Sequence, residues 1–462
     1  MEVSCRGILL PLRIVFKAAI ARVIITPKKV LVVFSNGPNT LNSWYNNGIK
    51  RTKRTDVLNT QTSFEQHLLT PEYLANPYSF YQQLRSEEPV HWSDTTNTWL
   101  LMCYSDVVAS LHNPILKTGG KPEAHLRHLP DVVQTELAPL QRHYETWMSF
   151  VDPPDHTRLR GLVSNGFTPR MLEDLRPRIQ QIVDNLLEEA QEGRQMDIIS
   201  DFAYPLPATI ICEMLGLPPE DYQQFHEWSA ALVEFFGSGI AEEETARRTQ
   251  RNLLALSDYL RNVFAQRRRH PKNDLISALV GEEEGDSLSE DELFGMCVFL
   301  LAAGHETTVS LIGNGLLALM RHPDQMKKLQ SDPSLIDTAV EELLRYDSPL
   351  QSLARVAEEE LEINGKKIRK GEVVRPMLGA ANRDPEQFPD PDRLDICRHP
   401  NRHVAFGFGI HYCLGGPLAR IEGQIAINSF IQRMPQVQIA SESLQWRKNL
   451  SNRNPLSLPV VF

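Results

Sequence analysis

The sequence lacks every cysteine spacing that would announce a zinc site or a disulfide framework. Its six cysteines (Cys5, Cys103, Cys212, Cys297, Cys397, Cys413) are scattered, with no CxxC and no Cys/His spacing, which suits a reducing compartment. There is no internal repeat, no glycine-rich dinucleotide fingerprint after a strand and no iron–sulfur cysteine run. Those absences exclude a flavin-, nicotinamide- or cluster-binding segment of the familiar kinds. The apolar stretch near the start, ILLPLRIVFKAAIARVII, lacks the ~18 uninterrupted residues of a membrane span, because Arg13, Lys17 and Arg22 break it. A basic surplus is also missing. Net charge is −10, and the first 56 residues, with ten Lys/Arg against two acids, leave the remainder near −18. So acidic a body is a poor partner for nucleic acid.

What is present begins with that basic N-terminal extension, residues 1–58. Its spacing suits a basic amphipathic helix or a transit-like peptide; the reading adopted is a segment that is disordered or a wrongly assigned start. Ordinary domain patterning sets in near Phe64, and residues 59–462 read as one large domain, mainly α with a minor β portion. VHWSDTTNTWLLMCY predicts a hairpin with its turn at the polar TTNT. Helical patterns then dominate: 170–192, 205–216, 219–236, 243–269, 289–321, 324–330 and 334–346. Short β pieces follow them.

The most informative helix is SEDELFGMCVFLLAAGHETTVSLIGNGLLALMRHP. Ser289 and Glu292 predict a capping box and Pro323 closes the far end, giving a rod of about 45–50 Å. It is apolar nearly all round, so it is buried in a fold or in a membrane. His305, Glu306, Thr307 and Thr308 at its centre argue against the membrane. His305-Glu306 opens like a zincin motif, but the position four after His305 is Val309, and the zinc reading fails. Two readings stay open at this point. Glu306, Thr307 and Thr308 present an acid and hydroxyls to a cavity beside Gly304, or the threonines merely bond back to helix carbonyls.

Two further stretches carry chemistry. Glu342 and Arg345 in EELLRYDSP share a helix face, and Arg393 in FPDPDRLD could complete a carboxylate held between two guanidiniums. FGFGIHYCLGGPLAR sets Cys413 among glycines just before a helix beginning at Pro417. Free amides and the helix dipole there favour a thiolate. Glycines let a backbone lie against a flat macrocycle. Such a cysteine is an axial iron ligand or an inert thiol buried in a turn.

Taken together and in order, AGHETT, Glu342-x-x-Arg345, Arg393 and Phe406-x-x-Gly409-x-x-x-Cys413-x-Gly415 resemble a cytochrome P450 of the soluble bacterial type, over roughly residues 60–462. The resemblance implies the cytochrome P450 fold, with the long central helix, about 289–321, lying over haem b. Cys413 would be the axial ligand of the iron, with Phe406 packed beside the sulfur. DPPDHTRLR is similar to the family segment that supplies propionate contacts, here His156 and Arg160, and Arg355 and His411 match two more. Glu306 and Thr307 match the acid–alcohol pair that brings protons to bound oxygen, with Ala303 and Gly304 lining the oxygen site. Glu342, Arg345 and Arg393 would be structural.

The implied activity is a monooxygenase of secondary metabolism that hydroxylates a small, hydrophobic substrate with O2. Two electrons would come from a separate ferredoxin/ferredoxin reductase or similar donor, docking near Arg158, Arg398, Arg402 and Arg420. The intact acid–alcohol pair argues against a haem-binding sensor. A cytoplasmic monomer without a membrane partner is expected. Segments 115–145, 205–245, 349–354 and the tail NLSNRNPLSLP are expected to shape the pocket, with Gln351 and Ser352 giving a slightly polar ceiling. Gly416 replaces a usual Ala, and Arg375 stands where the strand is normally apolar.

Overall fold

The computed structural model describes the chain apart from most of residues 1–62, residues 238–241, 282–287 and 442, and a few side chains between 219 and 236. The first 60 residues and residues 61–462 form separate compact units. In the first, the described residues are three antiparallel strands, Arg13–Phe16, Ala19–Thr26 and Lys29–Ser35. They are not the amphipathic helix that was one of the expectations. The expectation for the remainder of residues 1–58 lies outside the described residues.

In the second unit the expected helices are observed with shifts of a few residues at their ends. They are Pro169–Gly193, Pro205–Leu215, Tyr222–Gly237, Glu243–Arg269, Glu290–Arg321, Pro323–Ser331 and Ile336–Tyr346. The central helix, Glu290–Arg321, starts as the sequence dictates. The Ser289 hydroxyl accepts from the Glu292 amide, and the Glu292 carboxylate accepts from the Ser289 amide. Both bonds satisfy amides that a helix start leaves unpaired. The helix packs on Pro205–Leu215, Tyr222–Gly237, Ile336–Tyr346 and Gly416–Arg433. It is long and apolar enough to cross a membrane, yet 78% of its most apolar window is buried inside the fold. Its N-terminal half joins the core around Leu256 and Phe264, and its C-terminal half the core around Phe202 and Phe430. Each such buried Leu or Ile contributes about 1.5–3 kcal/mol.

The β portion is a five-stranded sheet in the order Val90–Ser93, Thr98–Leu101, Val373–Pro376, Arg355–Ala357, Leu116–Lys117. The hairpin is present in the register Val90↔Leu101 to Ser93↔Thr98, with Asn97 left-handed at its turn. Thr98–Leu101 and Val373–Pro376 run parallel, which sets Arg375 opposite Leu100 in mid-sheet. Smaller sheets pair Leu361–Ile363 with Lys366–Ile368, and Gln195–Asp197 with the C-terminal strands.

Where the central helix meets Gly416–Arg433, Glu422 is 1% exposed with the Thr308 hydroxyl beside it. Burial pushes its carboxyl up to about 8. The fold therefore keeps a proton that the unfolded chain releases near 4.5. Stability from this group is lost as pH rises from the lower value through the higher one. Glu422→Gln removes that dependence. Thermal unfolding from about pH 5 to about pH 9 should show the variant gaining on the parent protein as pH rises, by on the order of a few kcal/mol above pH 8. A difference that does not change with pH contradicts the assignment.

Candidate active site

The cysteine loop is shaped by two left-handed glycines, Gly407 and Gly409, with φ of 71° and 73°. A Cβ on Gly409 would stand 2.9 Å from the Leu111 carbonyl oxygen, so that position combines a forbidden torsion with a close approach. The Cys413 amide donates to the Phe406 carbonyl at 3.0 Å, folding the loop back on itself. Cys413 then sits half-buried in front of the helix Gly416–Arg433. Burial raises its thiol, while the amides of Gly415 and Gly416 and the guanidiniums of Arg160 and Arg420 act in the opposite sense. Burial outweighs them and the thiol stays above its ordinary value; the amides and guanidiniums ease the step to the anion without completing it. Phe406 packs under Arg420, whose guanidinium lies 4.4 Å from the ring centre. Gly416 is a neutral departure. A Cβ there would meet Phe406 at 3.6 Å, ordinary contact.

His156, Arg160, Arg355 and His411, scattered over 255 positions, are brought together. The rings of His156 and His411 lie 4.1 Å apart, and Arg160 donates to the Tyr412 carbonyl oxygen at 2.8 Å. Lys121 joins them; its ammonium donates to the Ser149 carbonyl oxygen and lies over Phe150. Burial and then His156, Arg355, Lys121 and Arg160 drive His411 down to about 2. Burial and then Arg355 lower Lys121 well below its ordinary value, and burial takes Arg355 to about 10. Against five cationic or titratable groups, the carboxylate that acts on them is Asp152. Asp152 is itself tied to the Thr118 and Gly119 amides. The His156 Nε2 is buried without a hydrogen-bond partner among the described residues. A basic cluster this poor in carboxylates, with His156 and Arg355 buried in it and the others losing basicity to one another, fits a ligand that carries anionic groups of its own. Haem b, with two propionates on a flat apolar ring, is such a ligand. Lys121 and Asp152 were not singled out by sequence, since nothing in KTGGKPEAH marks its lysines off from surface lysines.

Above this, the central helix is buried through most of its length, but Ala303 is exposed and Gly304 and Thr307 are half-buried. These residues therefore face open space on one side of the helix. A Cβ on Gly304 would lie 2.9 Å from Ile211, so this glycine lets the helix Pro205–Leu215 approach closely. The Thr307 hydroxyl donates to the Ala303 carbonyl oxygen at 3.3 Å, a long bond that is readily exchanged. The Glu306 carboxylate is engaged elsewhere. It accepts from Arg447 at 2.8 Å and lies 3.8 Å from His305 Nε2. Arg447 belongs to the C-terminal tail and was not anticipated.

The Glu342–Arg345 pair is fully buried and bidentate, at 2.7 and 2.9 Å. Arg345 also donates to the carbonyls of Asn382 and Pro391. The second guanidinium on Glu342 is not that of Arg393. It is Arg398, at 3.2 Å to both oxygens. Arg393 is exposed and offers only its carbonyl oxygen to Arg345 and Arg398. The cause is local. A turn through left-handed Asp390, closed by the Arg393 amide on the Asp390 carbonyl, faces Arg393 outward. The expected cationic patch is also largely neutralised. Arg158 pairs with Glu292, Arg398 with Glu342 and Arg420 with Glu341. Arg402 is the member of the four without an ion pair among the described residues.

Comparison with known proteins gives the family. The cytochrome P450 family model matches residues 130–444. A biotin biosynthesis cytochrome P450 of Bacillus subtilis is 42% identical over 395 residues, 85% of this chain and 97% of the relative. The polyketide biosynthesis cytochrome P450 PksS of the same organism is 42% identical over 84% of this chain and 96% of its own. The crystal structure of P450BioI with a hexadec-9Z-enoic acid ligated acyl carrier protein superposes with a TM-score of 0.79. It is 41% identical and covers 85% of this chain and 99% of that one. The chain belongs to the cytochrome P450 family. It is a haem b monooxygenase that inserts one atom of O2 into a small organic substrate, with electrons from a separate redox partner.

The arginine exchange at Glu342 is directly testable. Arg398→Met should lower stability by about 1–3 kcal/mol, since it removes charged hydrogen bonds to a buried carboxylate. Arg393→Ala should stay within about 0.5 kcal/mol of the parent protein. Thermal unfolding of the two variants reads this, and the reverse ranking contradicts the geometry described.

Proposed function

We propose that Cys413 holds the haem iron as its thiolate, and that His156, Arg160, Arg355 and His411, joined by Lys121, hold the propionates. The observation that carries this reading is the basic cluster with Asp152 as its acid, set beside a half-buried thiol toward which two glycine amides point. When bound, the haem supplies the oxygen-activating redox chemistry. The chain supplies position, charge and proton traffic.

In this reading Thr307 would give up its long bond to Ala303 and turn its hydroxyl into the open space beside Ala303 and Gly304. It holds there the proton that oxygen activation consumes. Glu306 replenishes that proton. Its ion-pair partner Arg447, 22% exposed on the tail, holds the carboxylate near solvent. The apolar wall of the central helix keeps bulk water from the same space. The electron donor is a ferredoxin or a similar small carrier docking on the outer side of the cysteine loop. Phe408, Ile410 and Tyr412 are exposed there beside Arg402. The protein acts as a cytoplasmic monomer, and residues 1–58 are an extension outside the catalytic domain. The substrate is a mainly hydrophobic molecule of acyl or polyketide type, a reading supported by the acyl ligand named for P450BioI and the pathway named for PksS.

Thr307→Ala separates positioning from proton delivery. The variant should keep its haem and its substrate-induced spectral change but lose coupling severalfold, with the reducing equivalents appearing as hydrogen peroxide. Product and peroxide per NADPH consumed with a surrogate reductase measure this. Undiminished coupling contradicts the role.

A further inference from the structure

Arg375 takes no part in the site described so far, and its surroundings are unusual for a guanidinium. It lies in mid-sheet on Val373–Pro376 and is 6% exposed. One terminal nitrogen donates to the Ser352 hydroxyl at 3.1 Å and the Ser451 hydroxyl at 3.3 Å. Its Nε is buried without a partner. Burial lowers its basicity to about 10, and among the described residues the groups that act against this are the phenols of Tyr73 and Tyr81, with no carboxylate among them. Those phenols are pushed up, Tyr73 to about 12 and Tyr81 further, so both are neutral at physiological pH. Nearby Lys121 and His125 feel Arg375 as a repelling charge. A buried cation that meets only neutral hydroxyls and other cations is costly to keep. A stable fold that keeps one has a use for it.

The two serines identify that use. Ser352 and Ser451 belong to the two segments, 349–354 and the C-terminal tail, expected to shape the substrate pocket. Tyr73 and Tyr81, with Gln351 and Asn452, line a small opening beside these segments, although Arg375 itself is not in its wall. The guanidinium edge that ends in Nε–H is one that grips a carboxylate in bidentate fashion. We propose that Arg375 is a specificity-determining residue that binds the carboxylate of an acidic substrate, anchoring a long apolar acid by its charged end while its chain extends toward the haem face. Ser352 and Ser451 hold the guanidinium in place for it. The assignment deepens the monooxygenase reading and rests on it.

The test compares dodecanoate with 1-dodecanol, equal in chain length and different in charge, bound to the holoenzyme near pH 8. Soret shift and calorimetry give two independent affinities. The parent protein should bind dodecanoate at least about tenfold more tightly, the scale of one charge-assisted bidentate contact. Arg375→Met should reduce that ratio to less than about threefold while leaving dodecanol within about twofold, and Arg375→Lys should fall between. No preference in the parent protein, a ratio that survives Arg375→Met, or equal weakening of both ligands each overturns the assignment. If Arg375→Met does not fold, the parent protein and Arg375→Lys decide alone: an unchanged ratio in the lysine variant overturns it. Loss of haem from Arg375→Met without any acid preference in the parent protein would make Arg375 part of the haem pocket instead. A parent protein without a thiolate-type ferrous–CO band refutes the haem-thiolate reading. One with the band and no acid preference refutes only the role of Arg375.

Discussion

Surrounding a half-buried sulfur with groups that favour its anion, against a burial that favours the thiol, is the constraint around which the molecule is built. A half-buried thiol resists ionisation, and the chain answers with neighbours rather than with water. Two glycine amides at a helix start, Arg160 from the segment Asp155–Ser164 and Arg420 one helical turn on all favour the anion. Each of these sits at a fixed place in the fold. Displacing the loop to make room for a side chain at Gly409, against the Leu111 carbonyl, would misdirect them together.

The second layer of the design holds that loop. Glu342 has a fixed position because Arg345, Arg398, Asn401 and the Asp395 amide all donate to it. A fully satisfied buried carboxylate of this kind contributes little net energy, yet it allows only one arrangement of the segment that leads into the cysteine loop. Arg420 is shared between that framework and the site: it donates to Glu341 and covers Phe406. On the other face the long helix crosses both cores and leaves Ala303, Gly304 and Thr307 uncovered at its middle. Rigidity below and a polar break above are what oxygen chemistry asks of a scaffold.

Much of this was legible in the sequence, and the unread part has physical causes. The central helix announced itself by its capping box and all-round apolarity, the hairpin by alternation about TTNT, and the cysteine loop by glycines that nothing but close approach or a left-handed torsion would require. Local rules govern these features, so local sequence reports them. Arg393 and Arg398 lie in one cationic, proline-rich segment, and only the turn through Asp390 decides which guanidinium faces inward. The basic patch was overestimated because its neutralising partners, Glu292 and Glu341, lie 134 and 79 positions from Arg158 and Arg420. Lys121, Asp152 and Arg447 owe their importance to tertiary placement alone. Arg375 was visible as an exception to its strand, and the fold supplies the reason such an exception can be useful.

The account stands on the bond between Cys413 and haem iron, and the ferrous–carbon monoxide spectrum reads that bond most directly. Purified parent protein should show the red-shifted Soret band of a thiolate ligand, and Cys413→Ala should lose it even when haem is supplied in excess. A colourless parent protein, or a variant that retains the thiolate band, would contradict the account at its base.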